Sequence, residues 1–115
     1  MDAVSTLLKC LKSKKYISDI EKAKAEVSTE RITLRKEDDL FIRDAITGYG
    51  TILKEALDHH YYITTIKMGT FGNTLSHAII LREGPEADVA VYAHEGLIKQ
   101  HLAEKAMQKL KSVLC

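Results

Sequence analysis

The stretch HEGLIKQH places two histidines, His94 and His101, close to Glu95, and these residue types bind metal ions or transfer protons. If the stretch were helical, the two histidines would lie about 10.5 Å apart along the axis. A single metal ion, with ligand bonds of about 2 Å, does not bridge that separation. If Gly96 instead ends a strand, His101 lies on the polar side of the following helix, with Glu95 favourably placed near the helix N-terminus. Both interpretations predict two solvated histidines and no metal site.

His77 lies in the segment TLSHAIILR, where strand alternation groups it with Leu75, Ile79 and Leu81. That side of the strand is expected to face the core, where a histidine is more often a hydrogen-bonded structural residue than a catalytic base. A cavity between the sheet and the helices would give His77 a second role. The candidate ligand-binding residues of such a pocket are Tyr49, Tyr62, His77 and Tyr92.

The other histidines and the cysteines form no recognisable site. His59 and His60 are adjacent, so their side chains point in different directions, and no carboxylate recurs at ligand spacing. Cys10 and Cys115 do not have the sequence spacing of metal-binding or redox-active cysteines. We expect Cys10 to be a small buried hydrophobic residue and Cys115 to be a terminal thiol. No nucleophile elbow or nucleotide-binding fingerprint is present, and GTFG (69–72) is interpreted as a turn between strands. The sequence therefore predicts no catalytic residue, metal or cofactor.

Length and composition favour one globular domain spanning residues 1–115, with 45% apolar and 29% charged residues. A net charge of +1 argues against a surface built for nucleic acid or anionic lipid. No apolar run approaches the roughly 18 residues of a membrane span, and no signal peptide is recognisable, so we predict a cytoplasmic protein. The densest basic cluster is interpreted first as a solvated helix face and second as a weak phosphate-contacting patch: Lys9, Lys12, Lys14 and Lys15.

The N-terminal third is expected to be mainly helical. Residues 2–12 carry one apolar helical face, and a break near KSKK with Ser18 or Asp19 as the next cap should follow. ERITLR alternates Ile32 and Leu34 with polar neighbours, as an edge or half-buried strand would.

Residues 37–58 allow two interpretations. The favoured one is a single long helix, since Ile42, Ile46, Ile52 and other apolar residues recur at helical spacing. The alternative is a hairpin from RITLR through KEDD into LFIRDAI, with a short helix only after Gly48 and Gly50, because each glycine costs up to about 1 kcal/mol inside a helix.

From residue 61 the period changes to two, and three strands joined by short turn-rich connections predict an antiparallel meander over about 61–94. A central helix and a long C-terminal helix should cover it. The apolar stripe of that last helix is formed by Ile98, Leu102, Ala106, Leu110 and Val113. The predicted fold class is α+β.

The predicted order of elements resembles the layout of roadblock and profilin-type domains, although no motif carries the likeness. Such domains commonly act as dimerising platforms or partner-binding modules, so the resemblance implies a non-catalytic protein-interaction module. A homodimer is expected, because two or three apolar helix faces compete for one sheet and the surplus would form an interface. The alternative is a small-ligand-binding protein or minor enzyme with a pocket between sheet and helices.

Overall fold

The segments with a period of two form the centre of an antiparallel sheet in the computed structural model, which describes residues 2–68, 74–95 and 101–115. They are β3 (Tyr61–Met68), β4 (Thr74–Glu83) and β5 (Glu86–Tyr92). The tight turn between β4 and β5 contains Gly84, whose φ of 60° is a left-handed conformation that favours glycine. The predicted turn GTFG lies outside the described residues.

Two further strands extend this centre: β1 (Val27–Thr33) pairs antiparallel with β5, and β2 (Ile52–Ala56) pairs antiparallel with β3. The described residues therefore form a five-stranded sheet in the order β1-β5-β4-β3-β2. The α+β class and the antiparallel sheet are confirmed. The three-stranded meander is only the middle of a wider sheet.

Both interpretations of residues 37–58 were wrong. α3 (Asp39–Thr47) precedes the glycines, and β2 follows them. Asp38 is the N-cap of this helix, and its carboxylate accepts a hydrogen bond from the Leu40 N–H at 2.9 Å. After the helix the chain runs against β3 so closely that a Cβ on Gly50 would lie 1.7 Å from the carbonyl oxygen of Thr65. This close contact leaves no room for a side chain at residue 50 and therefore requires glycine.

Helices cover both faces of the sheet, whereas the sequence predicted one covered face. α1 (Ala3–Ser13) and α2 (Ile20–Lys24) pack on one side, and α3 and α4 (Leu102–Leu114) pack on the other. The helix break is confirmed, with Asp19 as the cap of α2. In α1 the fully buried residues are Leu7, Leu8 and Leu11.

The C-terminal helix docks as predicted, with Ala106 and Leu110 buried and Leu102 half-buried against the sheet. Ile98 lies outside the described residues. None of the helices in the described part of the chain is long and apolar enough to cross a membrane.

Candidate ligand-binding cavity around His77

His77 sits in the middle of the sheet, on the face covered by α1 and α2. Its register partners are Thr65 on β3 and Tyr92 on β5, so its backbone is held by central strands on both sides. Alternation along β4 places its side chain on the same face as Ile79 and Leu81, which belong to the core beneath α1. The predicted grouping of His77 with these apolar residues is therefore confirmed.

The connection from α1 to α2 brings Tyr16 onto His77. Helix α1 ends in a Schellman motif: the Tyr16 N–H donates to the Leu11 carbonyl at 2.8 Å, and the Lys15 N–H donates to the Lys12 carbonyl at 3.0 Å. Lys15 takes the left-handed conformation usually given to glycine, with a φ of 66°. The motif turns the chain back, and the Tyr16 ring centroid lies 4.6 Å from that of His77.

An open cavity of about 400 Å³ lies between β4, β5 and the α1–α2 connection. Its apolar wall includes the exposed side of Tyr16, Leu75 and Tyr92. Its polar wall includes His77, Glu26 and His94. The cavity therefore combines aromatic surface with groups that donate or accept hydrogen bonds.

His77 itself is 7% exposed, and its Nε2 atom has no hydrogen-bond partner within residues 2–68, 74–95 and 101–115. Burial lowers the pKa of His77 below its usual value, because the low-dielectric surroundings disfavour the imidazolium. The side chain is therefore a neutral imidazole at neutral pH. Ser76 Oγ is the other buried side-chain atom without a partner in the described chain, but alternation places it on the opposite face.

Glu26 contributes a half-buried carboxylate to the lining of the cavity. Its Oε2 atom accepts a hydrogen bond from the Glu95 N–H and lies 3.5 Å from Nδ1 of His94. Burial, and secondarily the charge of Glu26, raise the pKa of Tyr92, so the phenol stays neutral. The lining of the cavity thus includes a neutral imidazole, a neutral phenol and a carboxylate.

The structure brings together two of the four candidate pocket residues, His77 and Tyr92. Tyr62 points to the opposite face of the sheet, where its hydroxyl donates to the Asp39 carbonyl at 3.4 Å. Burial first, and then the charge of Asp39, raise the pKa of Tyr62 to about 12. Tyr49 lies in a separate groove between α3 and α4, with Nζ of Lys109 at 4.7 Å from its ring centroid.

Tyr16 and Glu26 were not recognised from the sequence. The position of Tyr16 at the cavity depends on the left-handed conformation of Lys15, which the sequence pattern does not predict. Glu26 follows α2 as an ordinary half-buried acid, and only the pairing of β1 with β5 brings it near Tyr92.

The described ends of HEGLIKQH agree with two solvated histidines. The side chains of His94 and His101 are 77% and 70% exposed. Glu95 accepts a hydrogen bond from the Leu102 N–H at 2.7 Å, so it caps α4 as its predicted position suggested. Residues 96–100 lie outside the described part. Within the described part, no group of three His, Cys, Asp or Glu residues could hold a metal ion.

No model of a known protein family matches the chain, and no curated protein matches it. The case for a function therefore rests on the geometry of the cavity.

Proposed function

We propose that this protein binds a small molecule in the cavity around His77. The observation that carries the proposal is the buried imidazole of His77, which lines an open cavity while its Nε2 atom lacks a partner in the described chain. Leaving a buried polar atom unpaired costs about 1 to 3 kcal/mol. A fold tolerates such a cost where the group serves binding or chemistry.

The size and lining of the cavity support this proposal. Its volume of about 400 Å³ falls within the range of roughly 300 to 1,000 Å³ typical of small-molecule sites. Such sites combine apolar and aromatic walls with a few polar groups that fix orientation. Tyr16 and Leu75, each 48% exposed, supply apolar surface, and Glu26 and His77 supply the polar groups.

Tyr16 is the movable part of the proposed site. Its ring packs on His77 but remains half-exposed, so few contacts hold it. Rotation of an exposed side chain takes picoseconds to nanoseconds. A ligand reaches the imidazole by displacing this ring and replacing its apolar contact.

A fragment screen on the isotope-labelled protein, followed by NMR, tests the proposal. We expect hits whose chemical-shift changes centre on Tyr16, His77 and Tyr92. His77→Leu should abolish binding of these hits, whereas Ser76→Ala, one residue away on the opposite face, should retain it. If no fragment perturbs the cavity, or if both variants bind equally well, the proposal is wrong.

A protein-interaction module, acting as a homodimer, is the second candidate. The surplus of apolar helix faces that motivated it is accommodated inside one chain, because the helices cover both faces of the sheet. The remaining support is that β1 and β2 are the edge strands of the sheet, and exposed edges can pair with another chain. Sedimentation at micromolar concentration tests it, and a strictly monomeric protein would contradict it. The likeness to roadblock and profilin-type layouts and the cytoplasmic location stay predictions.

A further inference from the structure

The half-buried carboxylate of Glu26 gives the His77 cavity a negative pole. Its side chain is 25% exposed. Oε2 accepts the hydrogen bond from the Glu95 N–H, and Oε1 has no hydrogen-bond partner in the described part of the chain. A carboxylate that is partly withdrawn from water interacts more strongly with an opposite charge than a surface carboxylate does.

The other groups of the cavity are compatible with a cation. Tyr16 and Tyr92 provide aromatic rings, whose faces attract ammonium and guanidinium groups. His77 is held neutral by its burial, so it does not repel a positive ligand. A neutral imidazole accepts a hydrogen bond at Nε2 when its proton is on Nδ1.

The remaining charges lie nearer the rim. Asp19 accepts hydrogen bonds from the backbone N–H groups of Glu21 and Lys22 at 3.0 and 3.3 Å, so its carboxylate is engaged in capping α2. Lys22 is exposed, and water screens its charge more effectively than that of Glu26. His94 is also exposed, and its Nδ1 atom lies 3.5 Å from Oε2 of Glu26, which leaves Oε1 available to a ligand.

We infer that the ligand of this cavity is a small organic cation, an amine or amidine carrying an apolar group. Its positive N–H groups pair with Glu26 and donate to the Nε2 atom of His77, and its apolar part occupies the surface between Tyr16, Leu75 and Tyr92. This inference rests on the proposed ligand-binding function and adds the chemical class of the ligand.

Calorimetric titration of the full chain with matched compounds tests the inference. Benzylamine, benzyl alcohol and benzoate share one ring and differ in charge, and cyclohexylamine, cyclohexanol and cyclohexanecarboxylate repeat the comparison without aromaticity. We expect each amine to bind about tenfold more tightly than its carboxylate counterpart, since one tenfold step is the scale of a single favourable charge contact. Added salt should weaken binding of the amines and leave the alcohols nearly unchanged.

Glu26→Gln is the informative variant, because glutamine keeps a carbonyl oxygen that can accept the Glu95 N–H. It should remove the advantage of each amine over the matching alcohol. The control is Glu21→Gln, which removes an exposed acid on α2 that pairs with Lys24 at 3.1 Å and does not line the cavity. It should leave the ranking unchanged.

These experiments distinguish a wrong ligand class from a wrong proposed function. If the carboxylates bind as tightly as the amines, or if both glutamine variants have the same effect, the ligand class is wrong while binding in the cavity stands. If no compound binds and the fragment screen also leaves the cavity unperturbed, both the ligand class and the proposed function are refuted.

Discussion

Replacing His77 with leucine is expected to stabilise the free protein. Wild-type folding buries an imidazole that is 7% exposed and whose Nε2 atom lacks a partner in the described chain. Removing such an atom recovers about 1 to 3 kcal/mol of desolvation cost. Leucine is similar in size to histidine, and the adjoining cavity can take up the difference in shape. We therefore expect the free energy of unfolding near pH 8 to rise by about 1 to 3 kcal/mol.

The stabilisation of the free protein by His77→Leu should be larger at acidic pH. Because burial lowers the pKa of His77 below the usual 6.5, there is a pH range in which the unfolded chain binds a proton at this residue and the folded protein does not. Wild-type stability therefore falls as the pH drops below about 6.5, by at most about 1.4 kcal/mol per pH unit from this one group. Below the pKa of His77 in the folded protein, this loss of stability stops increasing. The His77→Leu variant has no titratable group at this position, so its stability does not fall with pH for this reason.

Urea denaturation of wild type and variant between pH 5 and pH 8 measures both effects. Ser76→Ala is the control, because it removes the other unpartnered atom, which does not titrate, so its effect should be the same at each pH. The reasoning would be refuted if His77→Leu were destabilising at pH 8. It would also be refuted if the difference between wild type and variant did not change with pH.

Four further substitutions test the fold. Lys15→Gly should stabilise the protein by about 0.5 to 1 kcal/mol in thermal or urea melts, because Lys15 is held in a left-handed conformation that glycine adopts freely; a loss of stability would contradict this. Gly50→Ala should lower the free energy of unfolding by about 1 to 3 kcal/mol or more, because the new Cβ would lie 1.7 Å from the Thr65 carbonyl oxygen. An unchanged stability would mean that Gly50 does not lie against Thr65. Leu110→Ala should cost about 2 to 5 kcal/mol and His101→Ala less than about 0.5 kcal/mol; equal losses would mean that α4 is rotated.

Regular periodicity made the helices at the two ends and the central strands predictable. The face of α1 that contains Leu7 and Leu11 is buried as its spacing indicates, and so is the face of α4 that contains Ala106 and Leu110. These elements follow from local pattern, because each one buries a single continuous stripe.

The errors arose where tertiary contacts override local pattern. Apolar residues on both sides of Gly50 recur at helical spacing, but α3 ends at Thr47 and the segment around Gly50 pairs with β3 instead. The second covered face was also missed, although residues 61–66 are all buried, as expected for a strand packed on both sides. Two residues of the site, His77 and Tyr92, could be predicted from the sequence. The other two could not, because Tyr16 is positioned by a turn and Glu26 by a long-range strand pairing.

The central claim is that His77 receives a ligand, and the imidazole nitrogen chemical shifts of His77 test it most directly. They should be recorded by NMR on the free protein and at saturation with the tightest-binding fragment. We predict that the Nε2 resonance moves on binding as the atom gains a hydrogen-bond partner, and that the Ser76 resonances stay in place. An Nε2 resonance that does not change through saturation would contradict the account, because the ligand would then bind without engaging the buried imidazole.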